Sequence, residues 1–182
     1  SEGSDDIIPF DFEEEFFVAL PGIGASYEVS DRAAVFGNWF QGFRAPQVWG
    51  YGSVPPTDEQ LELEMGNSYE LGVRARAIQG VSGQVTLWRV DFDNFGVFYT
   101  GFYENLGRIV TNGIDIEASW ELGETWESLR GLVLGGSVTF QDAELRSGPN
   151  DGNEVPYAWE SKAAWYARYT REGWAFFLGG TY

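Results

Sequence analysis

Residues 67–122 decide the fold: they read NSYELGVRARAIQGVSGQVTLWRVDFDN over 67–94 and, after a connecting stretch, NLGRIVTNGIDIEASWEL over 105–122. In the last segment Ile114, Ile116, Ala118, Trp120 and Leu122 recur at every second position, and Asp115, Glu117, Ser119 and Glu121 fill the positions between. A β-strand turns successive side chains to opposite faces, so this strand meets an apolar surrounding on one side and a polar one on the other. A strand of a soluble sandwich alternates in the same way. The choice between them rests on what flanks the segment.

Working outward, the same period recurs. Upstream, a strand is expected at Phe16–Leu20, and another over 21–30 with Ile23, Ala25, Tyr27 and Val29 on one face. After a tight turn at Asp31-Arg32, Val35, Trp39 and Phe43 share a face of the segment 33–43. In the strand expected over 69–77, Leu71, Val73 and Ala75 oppose Glu70, Arg74 and Arg76. The segment 84–95 blurs its alternation at Leu87-Trp88, where a bulge is expected. Downstream, Leu132, Leu134, Val138 and Phe140 share a face, then Ala163, Trp165, Ala167 and Tyr169, and finally Trp174, Phe176 and Leu178. About nine strands are legible.

The connections alternate as well. Short turns fall near residues 31, 79, 126 and 172, and longer loops near 55, 102 and 150, the middle one spanning Phe98–Leu106. Strands that run up and down in sequence order then place every short turn at one end and every long loop at the other. Outer-membrane β-barrels are organised this way, and strand segments of about 9–12 residues match their need. Aromatics on the apolar faces gather towards the strand ends: Trp39, Phe43, Tyr69 and Phe140 at the long-loop end, and Tyr27, Trp120, Tyr169 and Trp174 at the other. Two aromatic belts suit the two interfaces of a bilayer. The expected fold is all-β, an antiparallel up-and-down transmembrane barrel present as a fragment.

Composition agrees and excludes other classes. Aromatics are 17% of 182 residues and there are 24 glycines, a mixture of strand and turn formers. No cysteine and no histidine is present, which removes disulfides, thiolate chemistry and the commonest general base and metal ligand. A net charge of −17 with no basic cluster argues against nucleic acid as a partner. No apolar run approaches the roughly 20 residues of a membrane-spanning helix, which leaves barrels untouched. The last residues, WAFFLGGTY, still alternate at Tyr182, so the chain reads as a piece of something larger.

Several short patterns, in order, resemble the TonB-dependent outer-membrane receptors of the ferric-siderophore and ferric-citrate type. They are LPGIGASYEVSDR at 20–32, GFRAP at 42–46, NSYELGVR at 67–74, WRVDFDN at 88–94, NLGR at 105–108, NGIDIE at 112–117 and NEVPY at 153–157. Two places depart from the family: LELEMGN precedes the YELG strand where a lysine-proline-glutamate cluster is usual, and Ala158, Trp159 and Glu160 follow VPY where a proline is usual. The resemblance implies that residues 1–182 are one partial barrel domain, from the middle-to-late part of a 22-stranded barrel. The plug domain, the TonB box and the terminal strands would lie outside it. It further implies a Gram-negative outer-membrane location, contact with lipid and lipopolysaccharide, and import of an iron chelate without a bound cofactor. The TonB–ExbB–ExbD complex would supply the energy, acting through the plug.

Candidate residues follow from that placement. Arg44, Trp49, Tyr51, Tyr99, Tyr103, Arg108, Tyr157 and Trp159 lie in or beside the long loops, and aromatics and arginine bind planar anionic chelates well. Glu70, Arg74, Arg76, Asp115 and Glu117 would face the lumen and the plug, and for Arg74, Arg76 and Glu70 an ion-pair network in the wall is compatible with the same placement. Asp115 and Glu117 stand roughly 7 Å apart by strand geometry, within the range of an inverting glycosidase pair, but a polar barrel interior explains them more simply. Asp91, Asp93 and Asn94, or residues 150–154, could suggest calcium, yet neither has EF-hand spacing and turn chemistry explains both. No catalytic residue or metal site is expected, and the protein is read as a non-enzyme. The alternatives are a passive porin-type channel, and a surface or secreted β-domain that binds glycans through exposed aromatics.

Overall fold

Alternating segments joined by tight turns pair with their sequence neighbours, and the result is one antiparallel sheet in nearly sequential order. The computed structural model describes residues 17–45, 63–77, 79–99, 102–156 and 158–182, with the backbone alone over 97–99 and 102–105. Its strands are β1 (Gly22–Ser30), β2 (Ala33–Arg44), β3 (Glu64–Arg76), β4 (Val81–Asp93), β5 (Gly96–Tyr99), β6 (Phe102–Asn105), β7 (Ile109–Glu121), β8 (Leu132–Leu145), β9 (Ser161–Arg171) and β10 (Trp174–Thr181). Eight form a sheet in the order β1-β2-β3-β4-β7-β8-β9-β10, and β5 with β6 form a separate hairpin inside the β4–β7 connection. Every pairing is antiparallel, the sheet does not close on itself, and β1 and β10 are its edges.

Turns and loops segregate as the sequence implies. The β1–β2, β3–β4 and β9–β10 connections are tight, and Gln79-Gly80 and Glu172-Gly173 have the consecutive positive φ values that mirror-image hairpin turns require. The β7–β8 connection takes ten residues and carries short 3₁₀ turns at Leu122–Glu124 and Glu127–Leu129. The connections after β2, β4 and β8 are the longer ones and leave from the opposite end of the sheet.

Register aligns the two faces across all eight strands. Val35, Val73, Val85, Ile116, Val138 and Ala163 form one row, with Leu71, Leu87, Ile114 and Phe140 in the next. Residues of this face are half-exposed or more at Leu71 (63%), Leu87 (55%) and, in another row, Leu178 (64%), because no second layer covers them. Among the described residues the buried apolar side chains are few: Ile109, Val110, Leu122, Ala143 and Leu145. A sandwich would bury this face against a partner sheet. A barrel wall presents it to lipid.

All eight belt aromatics lie on the apolar face at the expected ends. On β8 the apolar positions run from Leu132 to Phe140, about 27 Å along the strand, before Asp142 interrupts them. The interruption is aligned on three neighbouring strands, where Arg89, Asn112 and Asp142 fall in one register row; on β3 and β2 that row still holds Tyr69 and Trp39.

Several local expectations are corrected. Residues 17–20 are not in a strand, so the strand expected at Phe16–Leu20 does not form. β3 begins five residues before Tyr69: Glu64, Gly66 and Ser68 are buried polar-face positions, with Glu64 bonded to Gly96 in the β4–β7 connection and Gly66 under the Phe92 ring. β4 has no bulge at Leu87-Trp88 and pairs residue for residue on both sides; the irregularity lies instead between Glu28 and Ser30. Alternation blurs there because Trp88 is an aromatic on the polar face, lying against Gly113 of β7. The loop expected over 98–106 instead carries most of the β5–β6 hairpin, which begins at Gly96 and whose four-residue strands are too short to show a period.

Candidate functional site

The polar face forms a trough of about 1080 Å³ towards the short-turn end, lined among others by Glu28, Arg74, Arg76, Gln84, Glu117 and Tyr166. Glu70, Arg74, Arg76, Asp115 and Glu117 all belong to this face: Arg74, Gln84 and Glu117 share a row, and Gly72, Thr86 and Asp115 the next. The wall does not join them in an ion-pair network. Arg74 donates to Ser26 Oγ at 3.1 Å and stacks 5.6 Å over the Phe36 ring, while Glu70 accepts from Asn38 Nδ2 at 2.9 Å.

Four aromatics lie flat against this wall, each over the glycine directly opposite it. The pairs are Phe36 with Gly72, Phe92 with Gly66, Trp88 with Gly113 and Tyr166 with Gly135. A Cβ on the glycine would come within 2.7 Å of Phe36 Cε1, 2.6 Å of Phe92 Cε1, 2.9 Å of Trp88 Cη2 and 2.5 Å of Tyr166 Cε1. Only glycine leaves space for the ring, so large side chains face inward without standing into the trough. Sequence reading missed this set. Its signal is a glycine at a polar-face position, legible only once register is known.

At the long-connection end the candidates are distributed unevenly. Trp49, Tyr51 and Tyr157 lie outside the described residues. Tyr99 closes β5 and Tyr103 lies in β6, so the hairpin backbone carries both. Trp159 is 46% exposed, and its carbonyl accepts from Gln141 Nε2 on the polar face at 2.7 Å. Arg44 is on the polar face and engaged with Glu64 and the root of the hairpin. Arg108 is elsewhere: it reaches the outward face, where Nε and Nη2 donate to the two oxygens of Asp91, and its backbone N–H donates to Ser147 Oγ at 2.8 Å. That carboxylate holds the Arg108 guanidinium above its usual value.

The outward face past the apolar belt is therefore a polar rim. Arg89 Nη1 donates to Asn112 Oδ1 at 3.2 Å, and Trp39 Nε1 and Gln41 Nε2 both donate to Asn67 Oδ1 at 3.2 Å. At the other end Trp120 ties two neighbouring turns, its Nε1 donating to Gln79 O at 3.2 Å and to Thr125 Oγ1 at 3.1 Å. Trp126 packs 5.2 Å from the Trp120 ring. For calcium, Asp91 is taken by Arg108 and no group of three or more acidic residues suited to a metal exists among the described residues.

Comparison with known proteins fits this geometry. Residues 3–182 match the family model described as "TonB dependent receptor-like, beta-barrel". The ferric-pyoverdine BN7/BN8 receptor of Pseudomonas putida is 21% identical over 136 residues, covering 74% of this chain and 16% of that receptor. The ferric-pyoverdine 358 receptor of the same species is 25% identical over 124 residues, covering 63% of this chain and 14% of that receptor. The chain thus spans a small part of the length of these relatives. Among solved structures, the unliganded ferric citrate transporter FecA superposes with a TM-score of 0.63 at 22% identity, covering 88% of this chain and 24% of FecA. The pyoverdine receptor FpvA of Pseudomonas aeruginosa gives 0.61 at 20%, covering 85% of this chain and 22% of FpvA. At these identities the superpositions speak for the fold.

Proposed function

This chain belongs to the TonB-dependent receptor β-barrel family, and from that premise we propose that it is part of the wall and rim of an active importer of a ferric chelate, of siderophore or citrate type. The importer sits in the outer membrane of a Gram-negative bacterium, its apolar face in lipid and its outward polar rim at the lipopolysaccharide headgroups. Energy comes from the TonB–ExbB–ExbD complex, acting through a plug domain. The long connections at the rim receive the chelate, and the trough lines the lumen that the plug fills.

One observation carries this reading: a single sheet whose apolar face is uncovered over eight strands and whose polar face lines a trough, in a chain matched along 3–182 by a receptor barrel model. The ligand class is supported by the names of the curated relatives, both ferric-pyoverdine receptors. A barrel wall without histidine, cysteine or a metal cluster among its described residues suits recognition of a preformed chelate by aromatic and cationic groups.

The test uses the full-length gene. Deleting it should abolish TonB-dependent uptake of one member of a radiolabelled panel containing ferric citrate and ferric pyoverdine under iron limitation. Restoring it with Trp49→Ala, Tyr51→Ala, Tyr99→Ala, Tyr103→Ala, Tyr157→Ala or Trp159→Ala should weaken binding at some of these positions and leave the barrel folded. A deletion strain that takes up every ferric chelate normally, with no binding by the purified receptor, refutes the proposal.

A further inference from the structure

The root of the β5–β6 hairpin is held by an ion pair that belongs to two other strands, its carboxylate buried and its arginine half-exposed. Glu64, at the start of β3, is 3% exposed, and Arg44, at the end of β2, is its register partner. Glu64 Oε1 accepts from Arg44 Nη2 at 2.6 Å and from the Gly96 N–H at 3.1 Å. Arg44 Nη2 donates to the Gly96 carbonyl at 2.7 Å, and Arg44 Nε lies 2.5 Å from Glu64 Oε2. Both backbone groups of the first hairpin residue are therefore taken by one ion pair. The guanidinium also lies 4.7 Å over the Phe95 ring, which meets Phe92 edge-on at 6.2 Å.

We infer that Arg44 and Glu64 are positioning residues that fix the β5–β6 hairpin as a rigid wall of the ligand-receiving rim. This rests on the importer reading above. A two-stranded hairpin is marginally stable alone in water, and this one has only four residues in each strand. Its stem is closed by two backbone bonds, Phe95 N–H to the Gly107 carbonyl and Leu106 N–H to the Phe95 carbonyl, both at 2.8 Å. Those bonds fix its shape; the ion pair fixes its place against β2 and β3. A carboxylate this buried must keep its partners, so the contact is held as a unit or not at all. Arg44, whose residue type and location suggest a ligand contact, acts instead through the hairpin that carries Tyr99 and Tyr103.

The experiment is hydrogen exchange on the full-length native protein in detergent, with no chelate present. Glu64→Ala and Arg44→Ala should each speed exchange over 95–106 by roughly ten- to hundredfold, the factor a hydrogen bond to a charged group carries, while β4 and β7 stay protected. Glu64→Gln, which keeps an acceptor for the Gly96 N–H, should fall between. Unchanged exchange over 95–106 in both alanine variants overturns the inference. Chelate affinity is then measured with ferric citrate and ferric pyoverdine. A loosened hairpin with native affinity overturns the positioning role alone. A native receptor that binds neither chelate counts against the importer reading and leaves the exchange result standing.

Discussion

Replacing Gly113 by alanine tests whether the polar-face glycines are there to seat aromatic rings. The Trp88 ring lies over Gly113, and a Cβ there would approach Cη2 to 2.9 Å and Cζ2 and Cε2 more closely still. Ordinary contact begins near 3.4 Å, so the indole must leave its seat and turn into the lumen. Overpacking of this kind costs about 1–3 kcal/mol. Alanine in place of glycine in a strand otherwise returns about 0.5–1 kcal/mol of backbone entropy. The two effects oppose each other in the single variant, which makes its net change a poor test.

The double-mutant cycle separates them. In a Trp88→Ala background the clash is gone and only the entropic gain remains, so Gly113→Ala should stabilise by about 0.5–1 kcal/mol. In the native background it should destabilise, leaving a coupling of about 1–3 kcal/mol between the two positions. The assay is urea unfolding of the full-length receptor reconstituted in lipid, with each midpoint converted through a common slope. A Gly113→Ala change of the same sign and size in both backgrounds would refute the seating argument.

Other outcomes follow from the same geometry. Ile116→Arg, on the apolar face, should cost about 2–4 kcal/mol in lipid, whereas Glu117→Arg, one residue on and facing the trough, should stay within about 0.5 kcal/mol; paired unfolding curves decide whether the faces are assigned correctly. Gly131→Ala should lower stability by about 2 kcal/mol or more, because φ is +90° and the new Cβ would overlap the Thr170 carbonyl oxygen; thermal unfolding monitored by gel mobility measures it. Trp120→Phe keeps the belt ring but removes the donor to Gln79 and Thr125, so the midpoint should fall by about 1 kcal/mol equivalent with membrane insertion unchanged.

The strands were legible because each residue on them answers to one of two solvents, and that contrast writes a period of two into the sequence. From Ile114 to Trp120 it needs no other information. Past the belt both faces are polar, the contrast ends, and the reading stops with it: Glu64 to Ser68 belongs to β3 but looks like loop. Long-range pairs were invisible for a related reason. Arg44 and Glu64 are joined across a connection that gives no hint of register, and Arg108 meets Asp91 on the outward face because the β4–β7 connection returns there. Aromatics and arginine at the rim were a sound chemical choice of candidates. What sequence could not supply was which of them the fold had already engaged.

That engagement has a pattern. Of the eleven cations, Arg44, Arg89, Arg108, Arg130, Arg146 and Arg171 each have a carboxylate within 4.0 Å, and all lie at an end of the sheet or just past the belt. Arg32, Arg74, Arg76, Lys162 and Arg168 have no such partner among the described residues; Arg32 lies in the β1–β2 turn, and register places the other four on the polar face. Acidic residues outnumber basic ones by 28 to 11, so a shortage of carboxylates cannot explain it. Placement explains it better: Glu70 lies on β3 itself and Asp115 and Glu117 on β7, one strand removed from both β3 and β9, so no pairing strand sets a carboxylate opposite those four cations. Arg74 meets only neutral partners there, the Ser26 hydroxyl and the Phe36 ring, so an anionic surface brought against the polar face would gain from meeting it.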